Sequence, residues 1–124
     1  MRLARAGSVR LGSVLLLSML LLAWPHAALA HAVLVSSTPG EHATVKSGAL
    51  DITLTYNSRI DAARCSLALV SPQGAEHVLT IDPHAAPNVL KSKAQVSKGE
   101  YTVRWQVLAS DGHITRGVVA FSVQ

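Results

Sequence analysis

The chain has 124 residues, a formal net charge of +4 and a single cysteine. Three of its arginines, Arg2, Arg5 and Arg10, stand in the first ten residues, so residues 31–124 carry eight Lys and Arg against seven Asp and Glu, a net of +1. That balance leaves no basic stripe with interleaved aromatics, which argues against nucleic acid and anionic membranes as partners. One Cys allows no internal disulfide.

The first thirty residues read as an export signal. The three arginines make a basic start, Leu11 to Leu22 a short apolar run, and Ala28-Leu29-Ala30 puts small residues at the two positions a signal peptidase reads. The apolar run is well short of the roughly 20 residues that span a bilayer, so a retained transmembrane helix is the weaker reading. Residues 1–30 are therefore expected to be a cleaved signal peptide. The remainder, residues 31–124, is one small domain that starts at His31 and is long enough for a single core.

From His31 onward the chain reads as strands broken by turns. Thr38-Pro39-Gly40 and Ser47-Gly48 are turn signals, and Asp51-Ile52-Thr53-Leu54-Thr55-Tyr56 alternates polar and apolar as a half-buried strand does. In Cys65-Ser66-Leu67-Ala68-Leu69, residues Cys65, Leu67 and Leu69 share one strand face. A buried structural thiol is the better reading of Cys65, ahead of a metal ligand or redox group. Ser71-Pro72-Gln73-Gly74 marks another turn. Asp82 to Ser97, with two prolines and no clean period, reads as a long connection holding at most one strand. Lys98-Gly99-Glu100 then turns into Tyr101-Thr102-Val103-Arg104-Trp105-Gln106-Val107, and Val119, Phe121 and Val123 repeat the alternation at the end. Short strands, regular turns and no convincing amphipathic helix describe an all-β sandwich or small barrel.

Chemistry concentrates at two places. Once freed by cleavage, His31 offers its α-amine and ring Nδ1, which close a six-membered chelate on one metal. An α-amine, with a reference pKa of about 7.7 to 8.0, is available near neutral pH. At Ser110-Asp111-Gly112-His113, positions i and i+2 of an extended backbone send Asp111 and His113 the same way. An Asp-Gly-His triplet alone is a weak signal, more often a polar turn than a ligand pair. Summed with the N-terminus, it gives three nitrogens and one carboxylate oxygen, a donor set that suits tetragonal Cu(II). Zinc takes similar donors, but structural zinc sites favour thiolates or clustered histidines.

The opening His31-Ala32-Val33-Leu34-Val35-Ser36-Ser37-Thr38-Pro39 resembles the mature start of the CopC-type periplasmic copper-binding proteins. So do Gly99-Glu100-Tyr101-Thr102-Val103-Arg104-Trp105-Gln106-Val107, Ser110-Asp111-Gly112-His113, and Gly117 ahead of Phe121-Ser122-Val123. The resemblance implies a Greek-key, immunoglobulin-like or cupredoxin-like β-sandwich with His31, Asp111 and His113 as Cu(II) ligands. It also implies a monomeric periplasmic copper carrier or buffer in copper homeostasis and resistance, with a CopD-like inner-membrane copper transporter as partner.

Two departures bear on the site. Some relatives place a glutamate after the strand matching Leu54-Thr55-Tyr56-Asn57, where this chain has Ser58. Some carry a methionine-rich Cu(I) loop, whereas Met1 and Met19 are the only methionines here. Thioethers select Cu(I), so a Cu(II)-only protein is expected. His77, near the place of the Cu(I) histidine, reads as a solvated turn residue, as do His42 and His84. Trp105 reads as core packing rather than a redox neighbour of the metal.

Two other readings stand beside the carrier. An N-terminal His with a second His is also the copper brace of lytic polysaccharide monooxygenases. Residues 31–124 hold one Trp, two Tyr and one Phe, too few for a flat sugar-binding face, so an enzyme is not expected. A metal-free structural or adhesive sandwich is the third, since fold alone does not fix function.

Overall fold

The structure, a computed structural model, describes residues 31–124. The expected signal, residues 1–30, lies outside the described residues. Eight strands follow: β1 (Leu34–Thr38), β2 (Ala43–Val45), β3 (Gly48–Tyr56), β4 (Ser66–Val70), β5 (Glu76–Leu79), β6 (Val89–Val96), β7 (Gly99–Leu108) and β8 (Ile114–Val123). A single 3-10 turn, Ala62–Arg64, leads into β4. The strands form two sheets, β1-β3-β6 and β2-β8-β7-β4-β5, so the chain crosses between sheets after β1, β2, β3, β5 and β6 and stays in one sheet only from β4 to β5 and from β7 to β8. This is the sandwich the alternation predicts.

Period-2 patterning explains the two faces. Ile52, Leu54 and Tyr56 of β3 turn inward toward Tyr101, Val103, Trp105 and Val107 of β7 and Val119, Phe121 and Val123 of β8, all buried. The aromatics meet in the middle: Tyr101 stacks on Phe121 at 5.6 Å and Tyr56 meets the Trp105 ring edge-on at 5.3 Å between centroids. Trp105 is thus a core residue, as its place in the strand implies.

One local expectation is borne out and two shift. The irregular stretch Asp82 to Ser97 does contain one strand, β6, and β6 pairs along almost the whole of β3. Its inward face is Leu90, Ser92, Ala94 and Val96, and the serine hides the period. Ser92 tolerates burial because its hydroxyl donates to the Thr80 carbonyl at 2.6 Å. Cys65 lies just before β4 rather than in it, because its backbone N–H closes the 3-10 turn on Ala62 at 3.3 Å. The thiol is half-buried, donates to the Asp61 carbonyl at 3.0 Å, and has its pKa pushed up chiefly by that burial. His77 sits on edge strand β5, opposite Leu69, not in a turn, though it is exposed as expected.

Candidate metal centre

Residues from the two ends of the domain meet at one edge of the sandwich. His31 lies three residues before β1, which belongs to the three-stranded sheet. Its neighbour Ala32 is completely buried in the core, so the chain is pinned one residue from its start. Asp111 and His113 belong to the loop joining β7 and β8 of the other sheet. The two sheets therefore supply different members of the cluster.

The loop is a tight turn, and this changes how Asp111 and His113 converge. The Gly112 N–H donates to the Ala109 carbonyl and the Ala109 N–H to the His113 carbonyl, both at 2.9 Å. Gly112 has φ of 88°, a left-handed conformation that a residue with Cβ adopts only at a cost. Within the turn, Asp111 Oδ1 accepts the His113 backbone N–H at 3.0 Å, while Oδ2 meets His113 Nδ1 at 2.5 Å. Convergence thus comes from a carboxylate folding back over a glycine turn, not from strand alternation.

One donor atom each from His31, Asp111 and His113 lies within 4.8 Å of the others. The imidazoles of His31 and His113 face each other edge-on, with centroids 4.7 Å apart. The Asp111 carboxyl sits below its ordinary pKa, first because the His113 backbone N–H donates to it. Burial pushes the other way, and the His113 side chain and the charges of His113 and His31 add further, smaller lowering. An anionic oxygen therefore lies against the His113 imidazole at neutral pH, in a cluster whose donor atoms all lie within 4.8 Å of one another. With Nδ1 of His113 engaged by Asp111 Oδ2, Nε2 is the ring nitrogen of His113 left without that contact.

Among the described residues this is the one cluster of three or more His, Cys, Asp or Glu side chains with metal-binding spacing. His42 instead lies beside Glu41 at 3.5 Å, and the His84 backbone N–H donates to Asp82 Oδ1 at 2.8 Å. Cys65 and His77 are outside the cluster as well. The hydroxyl of Ser58, at the position where an acidic residue is absent, is buried without a hydrogen-bond partner.

Residues 34–124 match the CopC domain. Over 95 residues the chain is 26% identical to the copper transport protein CutJ of Bacillus subtilis, covering 73% of this chain but only 17% of that much longer protein. Among solved structures, CopC from Methylosinus trichosporium OB3b is similar at 26% identity and a TM-score of 0.67, covering 76% of this chain and 94% of that one. PcoC, a methionine-rich copper resistance protein from Escherichia coli, shares the fold at 22% identity and a TM-score of 0.64, covering 77% of this chain and all of that one.

Proposed function

We propose that this chain, which belongs to the CopC domain family, is an exported Cu(II)-binding protein that acts as a carrier or buffer in copper homeostasis and resistance. The observation that carries this reading is the clustering of His31, Asp111 and His113, drawn from the two ends of the domain, at one edge of the sandwich. The relatives are named for copper transport and copper resistance, which supports copper as the cargo and a binding role rather than an enzymatic one.

Removal of residues 1–30 adds the α-amine of His31 to the set, giving three nitrogens and one oxygen. That set favours Cu(II), which heads the divalent affinity order for nitrogen donors. No methionine follows residue 19, so the chain offers no thioether to favour Cu(I). The likeness to one part of a long copper transport protein supports delivery to a membrane copper transporter of the CopD kind.

Asp111→Ala tests the site directly. Cu(II) affinity should fall by at least the roughly 10–100-fold that losing an outer-shell partner costs. The loop retains its backbone bonds at Ala109 and Gly112, so far-UV circular dichroism should not change. Unaltered copper affinity in this variant overturns the assignment of Asp111, and absence of copper binding in the parent favours a metal-free sandwich.

Acid should release the metal. Each donor must shed its proton to coordinate, so affinity declines as pH falls, with both imidazoles and the amine taking up protons. A titration that stays flat from neutral to about pH 5, the lower end of the range in which imidazoles change charge, is incompatible with two histidine ligands.

A further inference from the structure

Ligands on two different sheets keep a fixed separation only if something ties the two attachments together. The segment after β3, residues 57–61, touches both. On the N-terminal side, the Val33 N–H donates to Asn57 Oδ1 at 2.7 Å, and the Asn57 N–H donates to the Val33 carbonyl at 3.0 Å. On the loop side, the Ser110 N–H donates to the Arg59 carbonyl at 3.3 Å, Ile60 bridges Ala109, and the Asp61 N–H donates to the Leu108 carbonyl at 2.9 Å. The Ile60 N–H also holds the Pro87 carbonyl at 2.9 Å, which fastens the segment to a third stretch of chain.

The bond from Val33 is unusual for its place. Leu34 pairs with Tyr56 in the β1–β3 ladder, so the next rung would join Val33 and Asn57 by two backbone bonds. Only one is made; the Asn57 side-chain oxygen takes the other N–H. The chain therefore leaves the sheet plane at Val33. Ala32 drops into the core, fully buried, and His31 turns toward the β7–β8 loop of the opposite sheet.

We infer that Asn57 is a positioning residue of the metal centre, and that the strap it begins, residues 57–61, sets the spacing between His31 and the Asp111–His113 pair. This rests on the copper reading for its metal readout and on geometry alone for the rest. The side chain of Asn57 contributes no ligand. It acts through Val33, two residues from the histidine whose amine and ring form the chelate, where a small angular error moves both donors together.

The test uses the full chain expressed with its leader in a Gram-negative bacterium and recovered from the periplasm, with mass spectrometry establishing that it starts at His31. Asn57→Ala should lower Cu(II) affinity by about tenfold, the lower end of the cost of losing an outer-shell partner. Its Cu(II) electron paramagnetic resonance spectrum should change, with little change in melting temperature because Asn57 is exposed. In the metal-free protein the Val33 amide should exchange faster and residues 31–33 should gain motion by nitrogen relaxation. Asn57→Asp keeps an acceptor oxygen and should restore both exchange and spectrum. Wild-type affinity and spectrum in Asn57→Ala overturn the positioning role. If the parent binds no Cu(II), the copper reading fails by itself, and the Val33 exchange rate still decides: unchanged in Asn57→Ala, it overturns the anchor, and raised, it sustains it.

Discussion

A domain carrying one extra residue ahead of His31 should bind Cu(II) roughly a hundredfold or more weaker than the domain that begins at His31, since even an outer-shell partner is worth about 10–100-fold. The added residue turns the α-amine into an amide, which removes a nitrogen donor and the chelate it closes with Nδ1. His113 and Asp111 are untouched, so a weak residual site of two imidazoles and a carboxylate should persist with an altered visible spectrum. The comparison is direct: residues 31–124 against the same residues preceded by Met, titrated with Cu(II) in a competing chelator. Trp105, the only tryptophan in residues 31–124, offers a second readout through quenching. Equal affinities would remove the amine from the site and with it the role of signal cleavage. If the prediction holds, export processing is itself the step that arms the protein, because the unprocessed precursor has no free amine at His31.

Gly117→Val should destabilise the fold strongly. Gly117 pairs with Trp105 across the β7–β8 ladder, and a Cβ built on it falls 2.3 Å from Trp105 Cζ2 and 2.6 Å from Cε2. The indole is buried, and it packs edge-on against Tyr56 within the core. Valine improves strand propensity by at most ~1 kcal/mol, whereas overpacking of a filled core costs about 1–3 kcal/mol and occasionally more. The clash prevails because the branched side chain must displace a ring that other core residues hold in place. A net loss of roughly 2 kcal/mol in a domain of this size corresponds to a melting temperature about 10 °C lower, readable by thermal denaturation. A melting temperature equal to or above the parent would show that the indole has another place to go. Since β7 and β8 flank the metal loop, copper affinity at temperatures below the transition should also decline.

Much of the sandwich is legible in the sequence because half-buried strands write their burial as period 2. Ile52, Leu54 and Tyr56, and likewise Tyr101, Val103, Trp105 and Val107, alternate cleanly and all turn inward. The pattern fails where a polar side chain enters the core with its own partner. Ser92 does so in β6 by bonding to Thr80, and without that tertiary contact its strand shows no clean period. Cys65 shows the reverse error: the apolar alternation extends one residue past the strand, because the preceding 3-10 turn claims its N–H. His77 reads as a turn residue because the Ser71–Gly74 turn signal stands just before it, but β5 begins one residue ahead of it, at Glu76.

The residue types of the candidate site are legible in the sequence alone: a histidine at position 31, and an aspartate and a histidine astride a glycine. Donor identity is a matter of side-chain chemistry and needs no fold. Their approach to within reach of one another, from opposite ends of the domain and from two sheets, is a property of the fold. No local pattern encodes that distance. It is set by Ala32 buried in a core built from distant strands, and by a strap that bonds to Val33 on one side and to Ser110 on the other. Asn57 is invisible to sequence reasoning for the same reason: its effect lies in one hydrogen bond across 24 residues of chain, which exists only once β1 and β3 have paired.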